Sequence, residues 1–277
     1  MNPQDIITMH GDESVKQGPF RTLWQEAADL MYPTQDQITT IGSPGEDLSI
    51  KRFDDTAVFD SQDMASGLSS ALIPTGQAFF GLKAKDPDLA EDDMTRRYLA
   101  MSSEVLHQEM FESNFMLHFN ETLRSLSVFG TNYLFSEWDA KTGGLNYKDF
   151  PIWKGCIKEN SKGRVDTMLM SFAMSARQAV QEFGRENVSE KLREAADEPK
   201  TCSKKFEFLH YVGPRDDRNP QLSDSKNMPF QSVYIEVEAK QVVAEGGFEE
   251  FPFAVARWMK RNTEKYGRGQ GTECLAT

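Results

Sequence analysis

Four histidines, His10, His107, His118 and His210, are the first groups to test for metal or acid–base chemistry. Glu104 and His107 stand three apart in a helical pattern, the spacing with which carboxylate-bridged iron sites present two ligands from one turn. Such a site needs a second Glu-x-x-His pair and two more glutamates, and His118 has no glutamate three residues before it. The pair reads instead as a surface or packed histidine. Asp54, Asp55, Asp60 and Asp63 form the one dense acidic group able to take Mg²⁺ for nucleic-acid cleavage. They also mark a helix start, where carboxylates are solvated and favoured by the dipole. Gly267-Arg268-Gly269-Gln270-Gly271 has the glycine content of a loop whose amides approach a phosphate. It lacks the Gly-Lys-Ser/Thr ending of a P-loop and the spacing of a dinucleotide fingerprint, so a glycine hinge between strand and helix fits better. Gly67-Leu68-Ser69-Ser70 does not match the serine elbow of esterases. Cys156, Cys202 and Cys274 are odd in number and have no CxxC spacing. No catalytic group, cofactor site or metal site is expected from these residues.

The elements that would position any site follow from periodicity. Leu23, Ala27, Leu30 and Met31 predict a first helix from Ser14 or Pro19 to Met31, stopped by Pro33. Residues 33–52 read as an exposed loop. A second helix is expected from Asp55 to Leu72, with Val58, Met64, Ala65, Leu68 and Leu72 on its buried face. Glu91-Asp92-Asp93 opens a long helix whose apolar stripe is Met94, Tyr98, Met101, Val105 and Met110. The next helix buries Phe115, Phe119, Leu123, Leu126 and Phe129 and closes at Gly130. Alternation then predicts antiparallel strands at Tyr133–Trp138, Leu145–Phe150, Ile152–Lys158 and Val165–Ala173, with turns over 139–144 and 160–163. Ser175 caps a helix from Ala176 to Phe183, and a polar helix over 187–197 follows. Strands return at Phe206–Val212, Val233–Ala239, Gln241–Glu245 and Phe253–Trp258, divided by a polar loop over 214–229. The order is α+β, N-terminal helices followed by a strand meander and a second group of strands. A domain boundary is expected near 199–204, giving regions 1–199 and 200–277.

Composition bounds the function. A chain of 277 residues with 39% hydrophobic residues and 19 Phe has material for one large domain or two ordinary ones. The longest apolar runs are a few residues, far short of the roughly 20 that cross a bilayer, so no membrane role is expected. The residues after Met1 have neither the basic nor the apolar region of a secretory leader, and the cysteine usage suits a reducing compartment. The net charge of −12 argues against a protein that grips a phosphate backbone. The imbalance is uneven: 8 basic against 17 acidic side chains over residues 1–100, but 11 against 11 over 201–277. An acidic surface keeps a protein soluble, and it also lets a protein lie beside nucleic acid without sticking.

A series of segments, taken in order, is more specific. Trp24-Gln-Glu-Ala-Ala-Asp-Leu30 leads to Pro33, and Phe59-Asp60-Ser61 precedes the small-residue helix Ala65–Leu72. Pro74, Phe79-Phe80, Ser113-Asn-Phe115 and the segment Leu126–Asn132, which contains Phe129-Gly130-Thr131, come next. Arg257-Trp258 and Tyr266-Gly267-Arg268-Gly269 close the series. From about Phe20 to Leu275 this order resembles the head-to-tail connecting, or portal, proteins of short-tailed bacteriophages. The resemblance implies a structural subunit of a ring, usually a dodecamer, at one capsid vertex in the virion, made in the bacterial host cytoplasm. Double-stranded DNA would pass through the ring without sequence-specific binding, during packaging and again at ejection. The implied partners are other copies of the chain, the large terminase, scaffold and major capsid proteins, and tail or adaptor proteins. Residues 1–199 would form a wing-like α+β domain, and 200–277 a strand-rich region contributing to the clip or the stem entry. Family members continue with channel-lining helices, so the chain reads as an N-terminal portion or a truncated frame ending at Thr277. Trp24, Pro33, Phe59, Asp60, Ser61, Phe129, Gly130, Thr131, Arg257, Trp258 and the Tyr266–Gly269 run would act structurally.

Two other classes remain open on sequence. One is a virion adaptor that binds a protein through exposed aromatics such as Trp24 or Trp258. The other is a Mg²⁺-dependent nucleic-acid enzyme built on the Asp54–Asp63 group.

Overall fold

The computed structural model describes residues 2–35, 37–39, 54–74, 76–139, 143–219, 221–222 and 224–275. The chain is α+β, as its periodicity predicts, and forms two compact units, each built from several stretches of sequence. One comprises residues 1–23, 151–253 and 261–265; the other comprises 24–150, 254–260 and 266–277. Residues 199–200, where a boundary is expected, lie inside the first unit. Of the expected 33–52 loop, Pro33–Gln35 form a single 3₁₀ turn, and residues 36 and 40–52 lie outside the described residues. So do residues 140–142 of the first expected turn, 220 and 223 of the 214–229 loop, and Thr277.

The first unit is a five-stranded antiparallel meander in the order β3-β4-β5-β6-β7. Its strands are β3 (Gly155–Glu159), β4 (Val165–Ser175), β5 (Lys205–Pro214), β6 (Phe230–Glu236) and β7 (Gln241–Phe248). Residues 152–154, read as strand, form a 3₁₀ turn instead. Side chains alternate between two faces, as the period of a strand requires. Phe206, Phe208 and Val243 meet helices α6 (Ala176–Phe183) and α7 (Glu190–Asp197), burying Ala179, Phe183 and Leu192. Leu209, Tyr211, Val233 and Ile235 join Cys156 and Ile6 in a second cluster. The expected cap of α6 is present as a full capping box between Ser175 and Gln178.

Ile6 belongs to α1, which runs from Pro3 to Met31 and therefore starts well before Ser14. Gly11, Gly18 and Pro19 read locally as breakers, yet the helix passes through all three. Tertiary contacts supply the reason. Ile6 is fully buried, and Gln17, also fully buried, donates through Nε2 to the Gly155 carbonyl at 2.8 Å. Arg21 donates to the Trp153 carbonyl at 3.0 Å. Most helical stability comes from such packing and not from propensity.

In the second unit, α2 (Thr56–Leu72) packs against α5 (Phe115–Phe129). The buried residues of α2 are Ser61, Ala65 and Ser69; of the expected apolar face Ala65 is buried and Val58, Met64 and Leu68 are half-buried, while Leu72 is 53% exposed. Small side chains one turn apart let the two helices approach closely. After α3 (Pro87–Glu91), the Asp92 carboxylate accepts from the Thr95 amide at 2.8 Å and caps α4 (Asp93–Glu112). This hydrogen bond holds the Asp92 carboxyl below the usual carboxylate range. The stripe expected to bury α4 does not: Met94, Tyr98, Met101 and Val105 are exposed, and no residue of α4 is fully buried. Its packed side instead accepts the extended 78–82 segment, with Leu82 N–H donating to Ser103 Oγ at 2.9 Å. A three-stranded sheet, β2-β1-β8, completes the unit with β1 (Thr131–Asp139), β2 (Gly144–Phe150) and β8 (Phe253–Arg257). The short α8 (Gln270–Cys274) follows. Among the described residues no helix is long and apolar enough to cross a membrane.

Glu13 on α1 is buried and binds both Lys16 and Lys265, which ties the 261–265 segment to the first unit. Burial opposes the charge on Glu13, but hydrogen bonds from the two ammonium groups prevail and hold its carboxyl below the ordinary value of 4.5. The stabilisation is therefore complete above that value and is lost as pH falls through the lowered one. A Glu13→Gln variant should be less stable by about 1–3 kcal/mol at neutral pH. Urea melts as a function of pH check this, and the gap between the two proteins should close in acid.

Candidate functional site

Helix α5 ends because Gly130 takes a left-handed conformation, φ 83°, and donates its N–H to the Leu126 carbonyl. Glycine reaches this conformation without the steric cost a side chain would add. The chain then turns directly into β1. Against this corner lies the run Tyr266–Gly271, so close that side chains are excluded. A Cβ on Gly130 would stand 2.1 Å from the Arg268 carbonyl carbon and from the Gly269 nitrogen. A Cβ on Gly267 would stand 2.4 Å from the Gly130 oxygen, and one on Gly269 would stand 2.5 Å from the Ser127 oxygen. Two backbone stretches separated by about 136 residues in sequence thus meet in van der Waals contact.

Hydrogen bonds saturate the contact. Trp258 donates its backbone N–H to Gly130 O at 2.8 Å, and Gly267 donates its own to Thr131 Oγ1 at 2.7 Å. Arg268 and Met259 exchange backbone hydrogen bonds at 2.7 and 3.3 Å. Thr272 Oγ1 donates to the Gly269 carbonyl at 2.8 Å as α8 begins. Beside the glycines, the buried rings of Trp24 and Tyr266 meet edge to face with centroids 5.3 Å apart.

A polar cluster adjoins the corner. The Tyr32 ring stacks on Phe129 at 6.0 Å and carries the Arg124 guanidinium 4.1 Å above its centroid. Its hydroxyl donates to Glu121, and burial together with that carboxylate raises the phenol well above its usual range. Arg124 reaches Ser61 Oγ at 3.3 Å and the Met31 carbonyl at 3.4 Å, which links α1, α2 and α5. Ser61 Oγ also donates to Met31 O at 3.1 Å.

Most of the segments singled out in the sequence therefore converge. Phe129, Gly130, Thr131, Trp258, Tyr266, Gly267, Arg268, Gly269 and Trp24 meet at the corner, with Ser61 one layer away. Pro33 is buried in the turn after Tyr32, and Arg257 ends β8 half-buried. Phe59 and Asp60 are not brought in: both face outward, Phe59 with 61% of its surface exposed. Tyr32, Glu121 and Arg124 were not singled out. Arg124 is the one Lys or Arg in α5, and an isolated arginine on an apolar helix was the available signal.

The corner is built for packing and offers no reacting group. Its amides are directed at protein carbonyls and a threonine hydroxyl, so the glycine run makes no phosphate cradle of the Gly267 and Arg268 amides. His107 is equally occupied: its ring stacks on Phe80 at 4.0 Å, Nδ1 lies 2.7 Å from the Ser103 carbonyl, and Nε2 accepts from Phe79 N–H. His210 is buried on Tyr234 beside Ser232 Oγ, and burial pushes it down to about 3. Burial likewise pushes the Cys156 thiol up to about 11. Trp24, fully buried, has no surface with which to recruit a partner.

Comparison with known proteins bears out the family resemblance. Residues 12–277 match the model of the bacteriophage head to tail connecting protein family. The chain is 28% identical over 250 residues to the portal protein of Salmonella phage epsilon15, covering 89% of this chain and 45% of that protein. It is 22% identical over 275 residues to the probable portal protein of Bordetella phage BPP-1, covering 98% of this chain and 49% of that protein. The chain thus spans about half the length of the curated relatives it matches.

The geometry assigns large costs to small changes. Gly130→Ala and Gly269→Ala should each destabilise the protein by more than about 3 kcal/mol, because backbone has to move and, at Gly130, a positive φ is also strained. Gly81→Ala, with open space around the position, should change stability by less than about 0.5 kcal/mol. Thr131→Val removes the acceptor of Gly267 N–H and should cost about 1–2 kcal/mol. Chemical denaturation of the four variants tests the assignment, and equal stability of Gly130→Ala and Gly81→Ala would refute it.

Proposed function

Because this chain belongs to the bacteriophage head to tail connecting protein family, we propose that it is a structural subunit of the portal ring, or the portion of one that this sequence contains. The family match over residues 12–277 carries the reading. Copies close head to tail into a ring, a dodecamer in the complete protein, set at one vertex of the capsid in the virion. The ring admits double-stranded DNA during packaging and releases it at ejection. The large terminase docks on it first, and tail or adaptor proteins attach later. Scaffold and major capsid proteins surround it, and synthesis takes place in the host cytoplasm.

Three physical features favour passive hardware over catalysis. The segments that resemble the family are spent on close backbone packing, with their polar groups turned to protein partners. The net charge of −12 gives phosphates little to bind, so a duplex beside such a surface slides and is not gripped. Asp60 and its acidic neighbours stand on the exposed start of α2, where solvent accounts for them and no substrate or metal is needed. In this reading residues 1–199 supply the wing-like region, and the strands after residue 200 contribute toward the clip or stem. A ring needs two complementary faces on every subunit, so closure is a property of the complete protein.

Electron microscopy of the full-length gene product should show closed rings with a central hole, and class averages should give one dominant subunit number. Particles without a hole at every protein and salt concentration tried, or turnover of a nucleic-acid substrate lost in Asp60→Asn, would end the proposal.

A further inference from the structure

Helix α4 has two apolar sides, and among the described residues one of them is packed while the other is exposed. Ser103 and His107 accept the amides of the 78–82 segment, and Met110 packs at the Ile73, Phe115 and Leu134 cluster. On the other side Met94, Tyr98, Met101 and Val105 are 81, 70, 67 and 57% exposed. Their spacing of four, three and four residues is that of a heptad seam, the narrow stripe with which one helix pairs with another. A run of this kind is unlike the single apolar residues scattered over ordinary surfaces. Gln108 and Glu112, which bond to each other at 2.7 Å, occupy the next two seam positions and end it.

The charges beside the seam select the partner and its direction. Arg97 and Glu104 lie on the same flank, seven residues apart, and both are exposed. With a second α4 laid parallel, Glu104 would face Glu109 of the other copy, two like charges together. Laid antiparallel, Met94 meets Val105, Tyr98 meets Met101, and each Arg97 reaches the other copy's Glu104. Opposed helix dipoles favour the same direction. We propose that the outer face of α4 is a docking surface for the same face of a second copy of this chain, paired antiparallel about a two-fold axis.

Such a contact is isologous and saturates at two chains, whereas ring closure uses head-to-tail contacts. The pairing therefore stands or falls separately from the portal reading. Four apolar layers make a short interface, so the association is weak and has to be read at high concentration.

Sedimentation equilibrium of the full chain, up to roughly 200 µM, should give a monomer–dimer equilibrium. Met101→Glu, at an exposed position and with its fold checked by circular dichroism, should abolish the dimer. Arg97→Glu and Glu104→Arg should each weaken it by about tenfold, since each places two pairs of like charges across the axis. The double variant Arg97→Glu/Glu104→Arg restores opposite charges and should recover the affinity of the parent. A chain that stays monomeric throughout, a dimer indifferent to Met101→Glu, or a double variant no better than the single ones overturns the proposal. If Met101→Glu removes the dimer while the full-length product still forms rings, the two contacts are distinct, as proposed.

Discussion

The second unit depends on a contact that leaves no room for a Cβ at Gly130, Gly267 or Gly269: the α5–β1 corner lies against the Tyr266–Gly271 run at main-chain distance. Close packing of main chain on main chain requires each polar group to find a partner within the contact, because water is excluded from it. The Trp258 amide, Gly130 carbonyl, Thr131 hydroxyl and Gly267 amide meet that requirement among themselves. The aromatic and cationic groups around them, Trp24 on Tyr266 and Arg124 over Tyr32, then have fixed places to fill. Three helices, a sheet and the end of the chain are aligned by one junction.

The first unit is organised differently. Its sheet is covered by side chains on both faces, and its polar connections are long side chains reaching to backbone or to each other, as Gln17, Arg21 and Glu13 do. That arrangement tolerates adjustment, since a rotamer can shift where a peptide plane cannot. The two units thus illustrate two ways of using buried polar groups. In one the main chain satisfies itself, and in the other α1 supplies the partners.

Local signals were enough for much of the secondary structure. Alternation in Val165–Ala173 and the capping residue Ser175 place β4 and α6 within a residue or two, since both depend on near neighbours. Gly130 is legible as a helix end for the same reason. The early start of α1 is not, because Gly11, Gly18 and Pro19 argue against it locally and the sheet that overrides them lies about 140 residues away. The face of α4 was misread because periodicity shows that a stripe exists but not which neighbour meets it. At the corner, the types and order of the motif residues were legible, but their meeting was not. Nothing in Gly130 or Gly269 alone says that each is the space the other requires.

The junction also has a history in time. Its two halves leave the ribosome well apart, with the whole meander of the first unit made between them. Until Gly271 emerges, the Gly130 corner and the inner edge of β1 have no cover, and β8 cannot take its place beside β1. The helical unit, whose residues 24–150 are made before the meander, therefore waits for residues made after it, and until then the surfaces that the junction buries stay open to other contacts.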